Sequence, residues 1–98
     1  MLRMIAIFLL VMVMSTLRLS DLALHDRALV DHVVQQFPSD PIADRLRSLG
    51  FVNGEPVRLT ARGPLGGSPL LVAIGSTRFA LRIQEADRVI VKREVVNG

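Results

Sequence analysis

The chain has 98 residues, half of them hydrophobic and 21% charged, which is enough for one compact domain and too little for a second. The absence of cysteine excludes a disulfide framework, a thiolate zinc site, an iron–sulfur cluster and a thiol nucleophile. The net charge of +3 arises in the second half: residues 51–98 hold six Arg and Lys92 against three Glu and Asp87, whereas residues 1–50 balance five Arg with five Asp.

Behind Arg3 runs an unbroken apolar stretch, Met4 to Met14, which falls well short of the ~20 residues that a spanning helix needs. A positive start and an apolar run of this length fit a signal peptide, but Val13-Met14-Ser15-Thr16-Leu17 offers no small-x-small cleavage site. Met14 opens a polar stretch, Ser15-Thr16-Leu17-Arg18-Leu19, suited to an amino terminus. Residues 1–13 are therefore read as an upstream extension and residues 14–98 as the domain. If present in the protein, such a run docks on an apolar patch, pairs two copies or rests against a membrane.

The next elements are short. Leu19, Leu22 and Leu24 mark an apolar lead-in, His25-Asp26 turns the chain, and a first strand is expected from Arg27 to Gln35. Phe37-Pro38-Ser39-Asp40-Pro41 closes it and opens a helix, with Asp40 as cap and Pro41 where a backbone donor is dispensable. Ile42, Leu46 and Leu49 recur at helical spacing on one face, and Gly50 ends the helix. Val57, Leu59 and Ala61 alternate with Arg58, Thr60 and Arg62; Gly63 to Pro69 makes a hairpin turn, and Leu70 to Ile74 returns as a buried strand. Gly75-Ser76-Thr77 turns again into a strand holding Phe79, Leu81 and Ile83, a single helical turn follows at Gln84 to Asp87, and Val89-Ile90-Val91 ends the pattern. The fold expected is mainly β: a small five-stranded closed barrel with one or two short helices.

Chemistry has few candidates. His25 and His32, with Asp21, Asp26 and Asp31, could hold Zn²⁺ or Fe²⁺ weakly, within one chain or shared between two copies. Two solvent-facing histidines at a spacing that matches no ligand motif is the plainer reading, so no cofactor is required. No nucleophile elbow is present, and Gly63-Pro64-Leu65-Gly66-Gly67-Ser68 lacks the Gly-Lys-Ser/Thr ending that cradles phosphate, so an enzyme is not expected. Arg58, Arg62, Arg78, Arg82 and Arg88 invite a nucleic-acid reading. However, with no Trp or Tyr and only four Phe the chain lacks stacking platforms, and a solvated face able to meet an acidic protein is preferred. The same shortage argues against a groove for proline-rich peptides.

Arg45-Leu46 with Leu49-Gly50, then Gly54, then Pro64-Leu65-Gly66 with Pro69, then Gly75 and Leu81-Arg82 with Glu85-Ala86, together resemble the FeoA family over roughly residues 17–91. The resemblance implies an SH3-like barrel that assists bacterial ferrous iron uptake from the cytoplasm, or peripherally at the inner face of the membrane. The implied partner is an FeoB-type ferrous iron permease, met through its GTP-binding portion; a homodimer stays open. Candidate partner-binding residues are Arg45, Arg47, Phe51 and Asn53 at the helix and its exit, and Pro64, Leu65, Gly66, Gly67 and Ser68 at the hairpin tip. Arg45 and Arg47 read equally as solvated helix charges, and Phe51 as core. Two departures stand out: His25 occupies a position where the family usually has Gly, and Gly67-Ser68 replaces the usual Asp between Pro-Leu-Gly and Pro. The alternative is a stand-alone metal-sensing module, since the barrel also resembles the carboxy-terminal domain of metal-dependent repressors of the diphtheria toxin regulator type. No helix-turn-helix is visible for reading an operator alone.

Overall fold

A computed structural model describes residues 16–93, without the side chain of Thr16. The apolar segment 1–13 and the start at Met14 lie outside the described residues. The elements in chain order are β1 (Thr16–Arg18), a 3₁₀ turn (Leu19–Asp21), β2 (Arg27–Val33), α1 (Pro41–Ser48), β3 (Pro56–Gly63), β4 (Gly67–Ile74), β5 (Thr77–Leu81), α2 (Ile83–Ala86) and β6 (Val89–Arg93). All six strands join one antiparallel sheet in the order β1-β6-β2-β3-β4-β5.

Alternation fixes which face is buried. Ala28 and Val30 of β2, Val57 and Leu59 of β3, Leu70, Val72 and Ile74 of β4, and Val89 and Val91 of β6 enter a single core. Residues between them, such as Arg58 and Ala73, stand on the outer face, as the two-residue period of a strand requires. Three expectations need correction. The sheet has six strands rather than five, because Leu17 pairs with Val91 and Arg18 with Ile90 in a strand too short to leave a periodic signal. The first long strand stops at Val33 rather than Gln35: Val34 N–H still donates to the Arg88 carbonyl in register with β6, but Arg88 N–H turns to the Glu85 carbonyl and returns no bond. Finally, among the described residues no ladder joins β1 to β5, so hydrogen bonds do not close the barrel. The 3₁₀ turn and α2 contact each other at that opening, where Ser20 donates to Asp87.

Turn chemistry went largely as expected. His25 adopts φ 71°, in the left-handed region that histidine tolerates better than most residues, and its N–H donates to the Leu59 carbonyl at 2.7 Å. Asp40 caps α1, with Pro41 at its first position. At the other end Gly50 N–H donates to the Arg47 carbonyl and Phe51 N–H to the Leu46 carbonyl, with Gly50 at φ 111°, a Schellman closure that directs Phe51 straight into the core. There Phe51 is fully buried with its ring centroid 6.3 Å from that of Phe79, a contact within the range that aromatic pairs favour. The buried face of α1 is Ala43 and Leu46, with Leu49 partly covered; Ile42, expected inward, is 45% exposed.

Candidate docking surface

The geometry of the surface begins with a buried ion pair. Asp40 and Arg88 are 1% and 6% exposed, and their side chains meet in a direct salt bridge. The Asp40 carboxylate also accepts from Gln36 N–H at 2.9 Å and Ala43 N–H at 3.2 Å, while the Arg88 guanidinium donates to the Val34 carbonyl at 3.0 Å. One residue thus caps α1, fastens the end of β2 and ties both to the approach of β6. Arg88, placed by the sequence in a solvated stripe, is instead an internal clamp. Its guanidinium, reinforced by the two backbone donors, holds the Asp40 carboxyl far below the usual carboxylate range against the opposing effect of burial. Asp21 is lowered as well, chiefly because it accepts from Arg18 N–H.

Both shifts have the same consequence. A carboxyl with a folded pKa below its unfolded value of 3.8 leaves the unfolded chain binding more protons in the interval between the two. The stabilisation is therefore complete above about pH 4 and is lost as pH falls towards the folded values. Urea unfolding between pH 7 and pH 2 should show a midpoint that is flat down to about pH 4 and then falls steeply. With Asp40→Asn that fall should be much shallower.

The outer side of α1 faces two depressions. Between α1, α2 and β5 lies a groove of about 650 Å³ lined by Ile42, Arg45, Pro69, Ala80, Arg82, Gln84 and Glu85. Arg45 crosses it to Glu85 at 2.7 Å, and the other Glu85 oxygen accepts from Arg82 N–H at 3.0 Å, capping α2. Arg45 is thus positioned by a carboxylate that the sequence reading did not place in the site; its pairing spans 40 residues and leaves no local pattern. On the other side of α1 a depression of about 290 Å³ gathers Asp31, His32, Val33, Arg47, Phe51, Val52 and Asn53. Arg47 donates to Gln35 at 2.6 Å and Asp44 at 3.2 Å, and Asn53 donates to the Asp31 carbonyl at 3.0 Å. Arg45, Arg47 and Asn53 therefore present exposed polar edges. Phe51 does not belong with them: the glycine closure of α1 turns its ring into the core.

The hairpin tip stands apart. Pro64, Leu65 and Gly66 are exposed, and Leu65, at 82%, is the most open large apolar side chain among the described residues. Gly67 and Ser68 already belong to β4 and are half-buried, which makes the turn tighter than the sequence suggested. Pro69, just beyond the tip, lines the larger groove, so hairpin and helix border a common surface.

The candidate metal ligands are dispersed. Asp21 is paired with Arg18, Asp26 accepts from Ala23 N–H and faces Arg93, and His25 sits in its turn. Only His32 and Asp31 meet, Nδ1 to Oδ2 at 2.5 Å, with Lys92 3.9 Å from the same carboxylate. No group of three or more His, Asp or Glu converges among the described residues, and of the five candidates only His32 and Asp31 are brought together. The arginine stripe is also rearranged: Arg62 turns back to donate to the Ser20 and Leu22 carbonyls at 3.0 and 2.8 Å, and Arg88 is internal.

A bent antiparallel sheet around one core, with a short helix between its second and third strands, defines an SH3-like β module. This chain belongs to the FeoA family: the FeoA domain matches residues 17–93. It is similar to FeoA of Stenotrophomonas maltophilia, solved as a zinc complex, at 58% identity over 78% of this chain and 89% of that one, with a TM-score of 0.72. It is also similar to iron(II) transport protein A of Clostridium thermocellum, at 30% identity over 79% of this chain and 45% of that one, with a TM-score of 0.70. A manganese-dependent transcriptional repressor shares the fold, at 20% identity over 81% of this chain and 42% of that one, with a TM-score of 0.70. A search of curated proteins gave no match. No helix among the described residues is long and apolar enough to cross a membrane.

Proposed function

We propose that this chain is a non-enzymatic accessory protein of ferrous iron uptake, working in the cytoplasm by docking on the GTP-binding portion of an FeoB-type permease. The observation that carries this reading is membership of the FeoA family, with 58% identity to a FeoA put forward as a ferrous iron transport activating factor. An accessory protein alters a GTPase or a channel only by binding one of its states better than another. The surface offered for this comprises the groove beside α1, with Arg45 and the exposed Ile42, and the hairpin tip with Leu65. An apolar anchor beside a charged groove is a combination that protein interfaces use for affinity and register.

Isothermal titration of the chain against the permease's GTP-binding portion, with GDP and with a non-hydrolysable GTP analogue, tests this. Saturable binding is expected in at least one nucleotide state. Leu65→Ser should weaken it roughly tenfold, the loss expected when a leucine of ~1.5 kcal/mol leaves an interface. Absence of binding in every state would overturn the reading.

A further inference from the structure

The outer face of the sheet carries a row of arginines that sequence distance conceals. Arg27 on β2 is the register partner of Arg58 on β3, Arg58 of Ala73 on β4, and Ala73 of Arg78 on β5. Register partners project from the same face, so Arg27, Arg58 and Arg78 lie along one line across four strands. Like charges directly opposite one another are unfavourable, and among the described residues no ion pair offsets them. Among the described residues none of the three is in an ion pair, and the Nε of Arg58 is buried without a hydrogen-bond partner. Among the described residues, Arg27 and Arg58 line a depression of about 400 Å³ together with Pro56 and Ala73 of the same face; Glu55, the one carboxylate lining it, pairs with neither.

We propose that this row binds an extended acidic segment of a partner protein, its carboxylates seated on Arg27, Arg58 and Arg78. Charge complementarity selects the occupant's sign, and the guanidinium fork suits carboxylates taken two oxygens at a time. Spacing selects an extended peptide. Strands lie about 4.8 Å apart, so the three steps from β2 to β5 span about 14 Å, and an extended chain carries same-side residues i and i+4 about 14 Å apart. Nucleic acid is disfavoured because among the described residues no aromatic side chain joins the row: Phe51 is buried, Phe79 packs against the core and Phe37 lies in the loop after β2. A lipid surface is disfavoured because the most exposed large apolar residues among those described, Phe37 and Leu65, lie in loops rather than on the strand positions of the row. This proposal does not rest on the permease reading, since the row shares no residue with the groove beside α1 and the proposal names only the chemistry of its ligand.

The test is an NMR titration of the intact chain with three probes: an acetylated, amidated hexapeptide alternating Glu and Thr, inorganic triphosphate, and phosphatidylglycerol vesicles. The peptide is expected to shift the amides of Arg27, Arg58, Ala73 and Arg78 saturably, with an affinity that falls as salt rises. The double substitution Arg27→Gln/Arg78→Gln should weaken this about tenfold or more, whereas Arg18→Gln/Arg93→Gln should change it less than twofold. The Arg27→Gln/Arg78→Gln protein should also melt no lower than the parent, because it loses a like-charge opposition; a clearly lower Tm would mean a structural row and overturn the proposal. So would shifts confined to other residues, or a response at the row to triphosphate or vesicles but not to the peptide.

Discussion

Replacing Arg88 with Leu should lower the melting temperature by more than about 10 °C, the largest single-residue effect expected in this domain. The substitution leaves the Asp40 carboxylate buried with its two backbone donors but no countercharge, and takes the donor from the Val34 carbonyl. Breaking a buried pair from one side is far more damaging than removing both charges, because the remaining ion cannot reach water. The double variant Asp40→Asn/Arg88→Leu should therefore regain much of the loss, since asparagine can still cap α1 without a charge. Thermal unfolding of the parent, both singles and the double decides this. If Arg88→Leu melts within about 3 °C of the parent, the pair is not the clamp described above.

The same pair marks where the sequence stopped being legible. Local punctuation was readable: Asp40-Pro41 before α1, Gly50 after it, His25 at a left-handed turn, and the alternation of β3 and β4 each arise from neighbours in the chain. Arg88 lies 48 residues from Asp40, and in the sequence it is one arginine among several on presumed strands. Missing it had a second effect. With Asp40 tethered, the rotation of α1 about its axis is set, and the inward face falls on Ala43 and Leu46 rather than on Ile42. Each residue turns a helix by about 100°, so a shift of one position is enough to expose Ile42. The candidate metal set shows how sequence proximity differs from proximity in space. His25 and His32 look close in sequence, yet most of the interval between them is extended chain rising about 3.3 Å per residue, which carries them on the order of 20 Å apart. Among the candidate docking residues, Leu65, Arg45 and Asn53, which sit in turns or in the last turn of α1, are exposed. For Phe51 the structure selects the core reading of the two left open, because the position after a helix-ending glycine is as often the chain's re-entry into the core as a surface loop.

Gly63→Ala should cost about 2–3 kcal/mol of unfolding free energy, more than any other glycine-to-alanine change in the hairpin. A Cβ built on Gly63 would lie 2.2 Å from the Ser68 carbonyl oxygen, 2.6 Å from its carbon and 2.7 Å from Pro69 Cδ. Two of those three atoms are backbone, and Gly63 pairs with Gly67 at the last rung before the turn, so the clash is relieved only by parting the strands. Gly66 provides the control: it has φ 64° and nothing within 4 Å of an added Cβ, so alanine there incurs only left-handed strain of about 1–2 kcal/mol. Backbone dihedral alone would rank the two the other way, because only Gly66 of the pair has a positive φ. Urea midpoints of both variants separate close approach from dihedral strain. If Gly66→Ala proves the more damaging, strand approach is not what position 63 requires. If the order is as expected, Gly63→Ala should also weaken partner binding through Leu65, since parting the first rung displaces the tip that carries it.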